Sequence, residues 1–160
     1  MSAFHKDGQK VRTPEKAVFT NMVMIEDGKG NVLVQNRTKG WNGLVFPGGH
    51  LESKEMAVDS AIREIYEETG LSISNLKLCG IKQWFHPDEG RNVCFMFKTS
   101  NYSGVLKSSE EGDIYWMSLE ELKHSNKVAS GFQNMLEVFI NDALNEMYYP
   151  DDGDSEAILK

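Results

Sequence analysis

Cysteine is nearly absent from this chain. Cys79 and Cys94 are the only 2 among 160 residues, each inside an apolar stretch with no further Cys or His at ligand spacing. That usage excludes a disulfide scaffold and a zinc finger, and both residues read as buried free thiols of a reducing compartment. Long hydrophobic runs are missing too. No stretch approaches the about eighteen apolar residues of a membrane-spanning helix, and the opening "MSAFHKDGQKVRTPEK" lacks the apolar segment of a signal peptide. These absences lead us to expect a cytoplasmic protein with no membrane partner.

Positive charge is also in short supply, with 17 Lys and Arg against 24 Asp and Glu for a formal charge of −7. A broad electrostatic footprint on DNA or RNA is thereby excluded. An anionic small substrate would need local help, such as a metal ion. The chain has no repeat of solenoid length and no low-complexity tract in its middle. Its length and its 40% hydrophobic content suit one domain, expected over residues 1–147. The acidic, turn-rich "YYPDDGDSEAILK", residues 148–160, reads as a poorly ordered tail.

What is present is a mixture of strand and helix patterns. "AVFTNMVMIED" and "VLVQNR" flank the turn cluster "GKGN", so residues 17–37 are expected to form a strand hairpin. A short strand, "LVF", runs into Pro47, Gly48 and Gly49. "LKLCGIKQWF" and "NVCFMFKTS" straddle "HPDEGR" as a second hairpin, and "DIYWMS" reads as a further strand. Over residues 54–69, Val58, Ala61, Ile62, Ile65 and Thr69 recur at helical spacing, with Ser53 as the expected N-cap and Gly70 as the stop. Ser118 and Glu121 form a capping-box pattern for the short helix "LEELKH". "GFQNMLEVFINDALNEM" predicts a longer last helix, with Phe132, Leu136, Phe139, Ile140 and Ala143 facing inward.

The chemistry concentrates in "GGHLESKEMAVDSAIREIYEETGL", residues 48–71. Glu64, Glu67 and Glu68 crowd one edge of the predicted helix, about 120° from its buried stripe. Such like-charge neighbours repel. Taken alone they read either as a solvated acidic face or as the hard oxygen ligands of a divalent cation, for which Mg2+ with its retained waters and phosphate ligands fits best. Gly48 and Gly49 leave room for a close ligand, and a peptide carbonyl there can face a metal.

Gly49, five residues, Glu55, seven residues, then "REIYEETGL" from Arg63 to Leu71 resembles the full signature of the Nudix hydrolases. The resemblance implies an α+β fold, the family's α/β/α sandwich with a mixed β-sheet between helices. It implies Mg2+, with Mn2+ as a substitute, held by Glu64, Glu67, Glu68 and the Gly48 carbonyl. By the same resemblance Arg63 pairs with Glu55 and orients the loop. A carboxylate from beyond the motif acts as base or further ligand, and "SSEEGDIYW" offers Glu110 and Glu111, of which Glu111 is preferred. A plain helix-surface pair of Arg63 with Glu67 is the alternative for the arginine.

The wider pattern "KGWNGLVFPGGHLE" is similar to the MutT-like branch, which implies hydrolysis of a nucleoside triphosphate to monophosphate and pyrophosphate, 8-oxo-dGTP included. Trp41, Phe46, Trp84, Phe85 and His86 are candidates to line a base pocket around Gly49, and Asn134 to read a purine edge. Pro87 stands sixteen residues past Leu71, a spacing similar to that of ADP-ribose-hydrolysing members and equally that of an ordinary turn. A non-catalytic nucleotide-binding module is the reading from another class, and the full set of motif glutamates argues against it. His5, His50 and His124 read as exposed. The sequence is compatible with a homo-oligomer and does not specify one.

Overall fold

A computed structural model describes residues 13–150 and 156–160, so His5 and residues 151–155 of the expected tail lie outside the described residues. The first strand, β1 (Ala17–Ile25), shows why the fold has three layers. Its inner half, "NMVMI", is buried at every position rather than at alternate ones. Met22 and Met24 enter one apolar cluster, with Phe46, Phe132, Leu136 and Phe139, whereas Val23 and Ile25 enter another, with Ala61, Ile65, Leu71 and Phe97. A strand whose two faces are both covered reads as a continuous apolar run. The same division runs through β2 (Asn31–Arg37), where Val32 and Val34 face the first cluster and Leu33 the second.

Two sheets lie between the helices. β3 (Gly43–Val45) pairs with β2, which pairs in turn with β8 (Gly112–Ser118), all antiparallel. In the larger sheet β1 lies parallel to β6 (Gly90–Thr99), β6 antiparallel to β5 (Lys77–His86), and β5 parallel to β9 (Glu146–Tyr148). Its two edges are β1 and β10 (Ile158–Leu159), the latter antiparallel to β9. A separate ribbon joins β4 (Leu71–Ser74) to β7 (Asn101–Gly104). Helix α1 (Ala57–Thr69) covers one face, and α3 (Phe132–Ile140) the other, after the short α2 (Leu119–His124). This is the mixed sheet between helices expected of an α+β Nudix-type sandwich.

Several local expectations are corrected. β1 and β2 do not form a hairpin ladder: they belong to different sheets and meet at a single bridge, Glu26 to Val32. The N-cap of α1 is Met56, not Ser53, because Glu55 closes residues 52–55 into a turn by accepting the Glu52 amide. Val58 is exposed at 43%, so the buried side of α1 is Ser60, Ala61, Ile65, Glu68 and Thr69. Gly70 does stop the helix, in the left-handed conformation (φ 76°), donating its amide to the Tyr66 carbonyl.

Ser118 caps α2 by position, without a side-chain hydrogen bond. Helix α3 ends at Ile140, and Ala143 is exposed. The chain beyond it is drawn into the sheet as β9, where Met147 is fully buried. The end of the expected tail also packs, since Glu146 and Lys160 exchange backbone hydrogen bonds. Both cysteines are free, Cys94 buried and Cys79 half-buried. Among the described residues no helix is long and apolar enough to cross a membrane.

Candidate active site

The strand-to-helix connection carrying Gly48 and Gly49 is clamped against β1. Asn21 donates its amide to the Gly49 carbonyl at 2.8 Å and Val23 donates to the Pro47 carbonyl at 2.9 Å. Between them, the Gly48 carbonyl receives no hydrogen bond among the described residues. The glycines are required by packing: a Cβ at Gly48 would penetrate the Asn21 carbonyl, and one at Gly49 would meet the Glu64 carboxylate. Close approach to β1 and to α1, rather than an unusual φ, explains the pair.

Arg63 organises the next turn. Its Nε and one terminal nitrogen donate to the two carboxylate oxygens of Glu55 at 2.8 and 2.9 Å. The same terminal nitrogen reaches the His50 carbonyl at 3.1 Å, and the other donates to Glu64 at 2.9 Å and Glu67 at 3.1 Å. Both sequence readings of this arginine therefore coexist, the loop clamp and the helix-surface pair. The guanidinium holds the Glu55 carboxyl down at about 2.

Glu68 is the exception among the acids, only 7% exposed, with its carboxylate accepting the Gly48 amide at 3.2 Å. Burial, and then the facing charge of Glu111, push its carboxyl up to about 8. Burial raises Glu64 as well. Glu111, from the loop before β8, lines the cleft and pairs with Arg37 at 3.5 Å, while Glu110 is not in the lining.

One cleft of about 660 Å³ collects these groups. At one end stand Gly48, Gly49, Glu64, Glu68, Glu111 and Arg37; at the other stand Trp41, Phe46, Lys82, Trp84, Cys94 and Met135. Glu67 is not in the lining, because Arg63 draws its half-exposed side chain outward. No three acidic, His or Cys side chains form a ready-made metal cage among the described residues. The donors at the acidic end nevertheless suit a hydrated cation: carboxylates held close against their own repulsion and one peptide carbonyl without a donor, with Cys94 and Met135 at the opposite end. Of the expected ligands, Gly48, Glu64 and Glu68 line the cleft and Glu67 does not.

Other predicted residues are placed elsewhere. Phe46 lines the cleft but is 1% exposed, stacked edge-on against Phe132 and Phe139, so its main work is in the core. Phe85, His86 and Pro87 lie exposed at the far end of the β5–β6 hairpin, outside the cleft. The turn comes back toward the cleft only at Glu89, which lines it. Asn134 sits on α3 and does not line the cleft; its neighbour Met135 does, as the helix turns that side inward. His50 borders the cleft as an exposed residue, and His124 is exposed on α2.

Polar residues that the sequence did not signal include Asn21, Arg37, Lys82, Glu89 and Asn92, all in the lining. Asn21 is 3% exposed, donates to the Ser60 hydroxyl at 2.9 Å, and leaves its side-chain carbonyl without a partner among the described residues. An asparagine or lysine inside a strand pattern gives no hint of which face it takes. For Lys82 the available signal was Trp84 two residues on, on the same side of the strand.

Comparison with known proteins agrees with this geometry. The model of the NUDIX domain matches residues 17–139. The chain is 36% identical over 110 residues to the uncharacterized Nudix hydrolase YvcI of Bacillus subtilis, covering 66% of this chain and 68% of that one. It is 32% identical over 93 residues to the phosphatase NudJ of Escherichia coli K12, covering 56% and 59%, so less than two thirds of that relative is spanned. Among solved structures, the MutT protein of Bacillus halodurans superposes with a TM-score of 0.73 at 28% identity, covering 89% of this chain and 97% of that one.

Proposed function

The chain belongs to the Nudix hydrolases, enzymes that cleave pyrophosphate bonds, and from that premise we propose that it converts a nucleoside triphosphate to its monophosphate and pyrophosphate. The substrate we propose is 8-oxo-dGTP or a related nucleoside triphosphate, which makes the protein a cleaner of the nucleotide pool in the cytoplasm. The observation that carries this reading is the single cleft whose acidic end continues into an aromatic end. A triphosphate needs both: charge neutralisation at the phosphates and flat apolar faces for the base.

In this reading Glu64, Glu67, Glu68 and the Gly48 carbonyl hold Mg2+, with Mn2+ able to substitute. The metal supplies neutralisation of phosphate charge and activation of water. The chain's own residues do the rest. Arg63 fixes Glu55, Glu64 and the His50 carbonyl in one network, so the loop bearing Gly49 keeps its shape. Glu111, which faces Glu68, would then accept a proton from the attacking water or add a ligand. Trp41 and Trp84 flank the base.

Two other readings have less support. Pro87, the sequence feature that resembled ADP-ribose hydrolases, occupies an exposed turn outside the cleft. A non-catalytic nucleotide-binding module would not need the full set of motif glutamates. Product analysis with 8-oxo-dGTP and with ADP-ribose in parallel separates all three. With 8-oxo-dGTP and Mg2+, the wild type should release pyrophosphate and monophosphate, and Glu67→Gln should release neither while retaining its fold. Orthophosphate as the first product, or full activity in the variant, contradicts the proposal.

A further inference from the structure

Lys82 stands at the aromatic end of the cleft. Its strand neighbour Trp84 shares its side of β5, and its cross-strand partner on β6 is Cys94, which is paired in turn with Thr20 on β1. Thr20, Cys94, Lys82 and Trp84 all line the cleft, so three adjacent strands form its floor here. The ammonium lies 5.0 Å from the ring centroid of Trp41, 5.0 Å from that of Trp84 and 5.7 Å from that of Tyr149.

Aromatic faces attract a cation but accept no strong hydrogen bond. Among the described residues the Lys82 ammonium has neither a salt bridge nor a hydrogen-bond acceptor; the lysine salt bridges there belong to Lys77, Lys98 and Lys123. A lysine carries three donors and no acceptor. Burial lowers its pKa, a desolvation effect that fits an ammonium held among aromatic rings without a charged partner. A polar group left short of partners in a cleft is a demand on the ligand.

We propose that Lys82 reads the base of the nucleotide: its amine donates to a ring carbonyl oxygen of a base held beside Trp41 and Trp84. The site then takes keto bases in preference to bases that present an amino group along the same edge. This inference rests on the nucleoside triphosphate reading and adds the class of base. A phosphate is the other acceptor that a lysine can serve, and the surroundings argue against it. Lys82 is ringed by aromatic faces, whereas the second cation of the cleft, Arg37, stands at the acidic end against Glu111.

The probe is the inosine and adenosine pair, which differ only along one edge of the purine. Binding of IMP and AMP to the full chain without metal, followed by tryptophan fluorescence, should favour IMP by about tenfold or more in the wild type. Lys82→Met should bring the two within about threefold, mainly by weakening IMP, and Lys82→Arg should keep the preference. Should Lys82→Met not fold, Lys82→Gln serves, since its amide offers both a donor and an acceptor and should also level the pair.

Equal binding of IMP and AMP by the wild type, absence of binding by both, or a preference that survives in Lys82→Met overturns the proposal. Equal weakening of both ligands in Lys82→Met does so too, and assigns the lysine to phosphate. Turnover of ITP beside ATP tests the underlying reading separately. If neither triphosphate is hydrolysed while IMP is still preferred through Lys82, the triphosphatase reading fails and the base assignment stands.

Discussion

Arg63 and Glu55 are joined by two parallel hydrogen bonds, of 2.8 and 2.9 Å, and this fork fixes the loop that carries Gly48 and Gly49 to the start of α1. Both side chains are largely shielded from solvent, at 25% and 15% exposure. A planar guanidinium can make that fork while also reaching Glu64 and the His50 carbonyl; an ammonium cannot. Arg63→Lys should therefore lower kcat by about tenfold or more with only a modest loss of melting temperature. Unchanged kcat in that variant would reduce the fork to a surface pair.

Glu68→Gln should separate stability from activity. The buried carboxylate faces Glu111 and its pKa is pushed up to about 8, so its ionisation opposes folding. A raised carboxyl pKa means that stability is fully present below the unfolded value and is lost as the pH rises through about 8. The metal-free wild type should lose stability across that window, and the amide variant should lack this component. Turnover in Mg2+ should fall by about a hundredfold or more in the variant. Urea unfolding at several pH values checks the first claim, and steady-state kinetics the second.

The glycine pair predicts opposite failures. At Gly48 an added methyl collides with the backbone of β1, so Gly48→Ala should destabilise the fold by about 1–3 kcal/mol. At Gly49 the obstacle is the Glu64 carboxylate, a side chain able to swing aside. Gly49→Ala should accordingly keep nearly all its stability and lose activity. Thermal melts beside kcat for the two variants test this division.

Phe46 and Trp84 border the same cleft but should not behave alike. Phe46 packs edge-on with Phe132 and Phe139 at centroid distances of 5.1 and 5.0 Å, and Phe46→Ala should cost about 3–5 kcal/mol of stability. Trp84 packs only on the outside of that cluster, so Trp84→Ala should cost less stability and should raise KM for the nucleotide by about tenfold, with kcat little changed. A large drop in kcat with constant KM would place Trp84 outside the base subsite.

The sequence was most informative where spacing and chemistry coincide. The motif from Gly49 to Leu71 specified a helix, its Gly70 stop and the Arg63–Glu55 clamp in one short segment. It was less informative wherever the tertiary environment decides. Val58 fits the helical period as well as Ala61 does, and only the position of the sheet shows that it faces water. Helix α3 stops at Ile140 although the apolar pattern runs on, because burying Met147 between β5 and β10 outweighs another helical turn. The β1–β2 hairpin failed for a related reason: both strands have two buried faces, and a continuous apolar run does not name its neighbour. The aromatic end of the cleft required the three-strand register that sets Lys82 beside Trp84 and opposite Cys94.

The most direct test of the account is kcat/KM for 8-oxo-dGTP beside dGTP and ADP-ribose in Mg2+, with Glu67→Gln as the control. The account predicts a preference of about a hundredfold for the oxidised nucleotide, equivalent to about 2.7 kcal/mol of differential transition-state binding, and no turnover in the variant. Similar values for the two triphosphates, or faster hydrolysis of ADP-ribose, would contradict it.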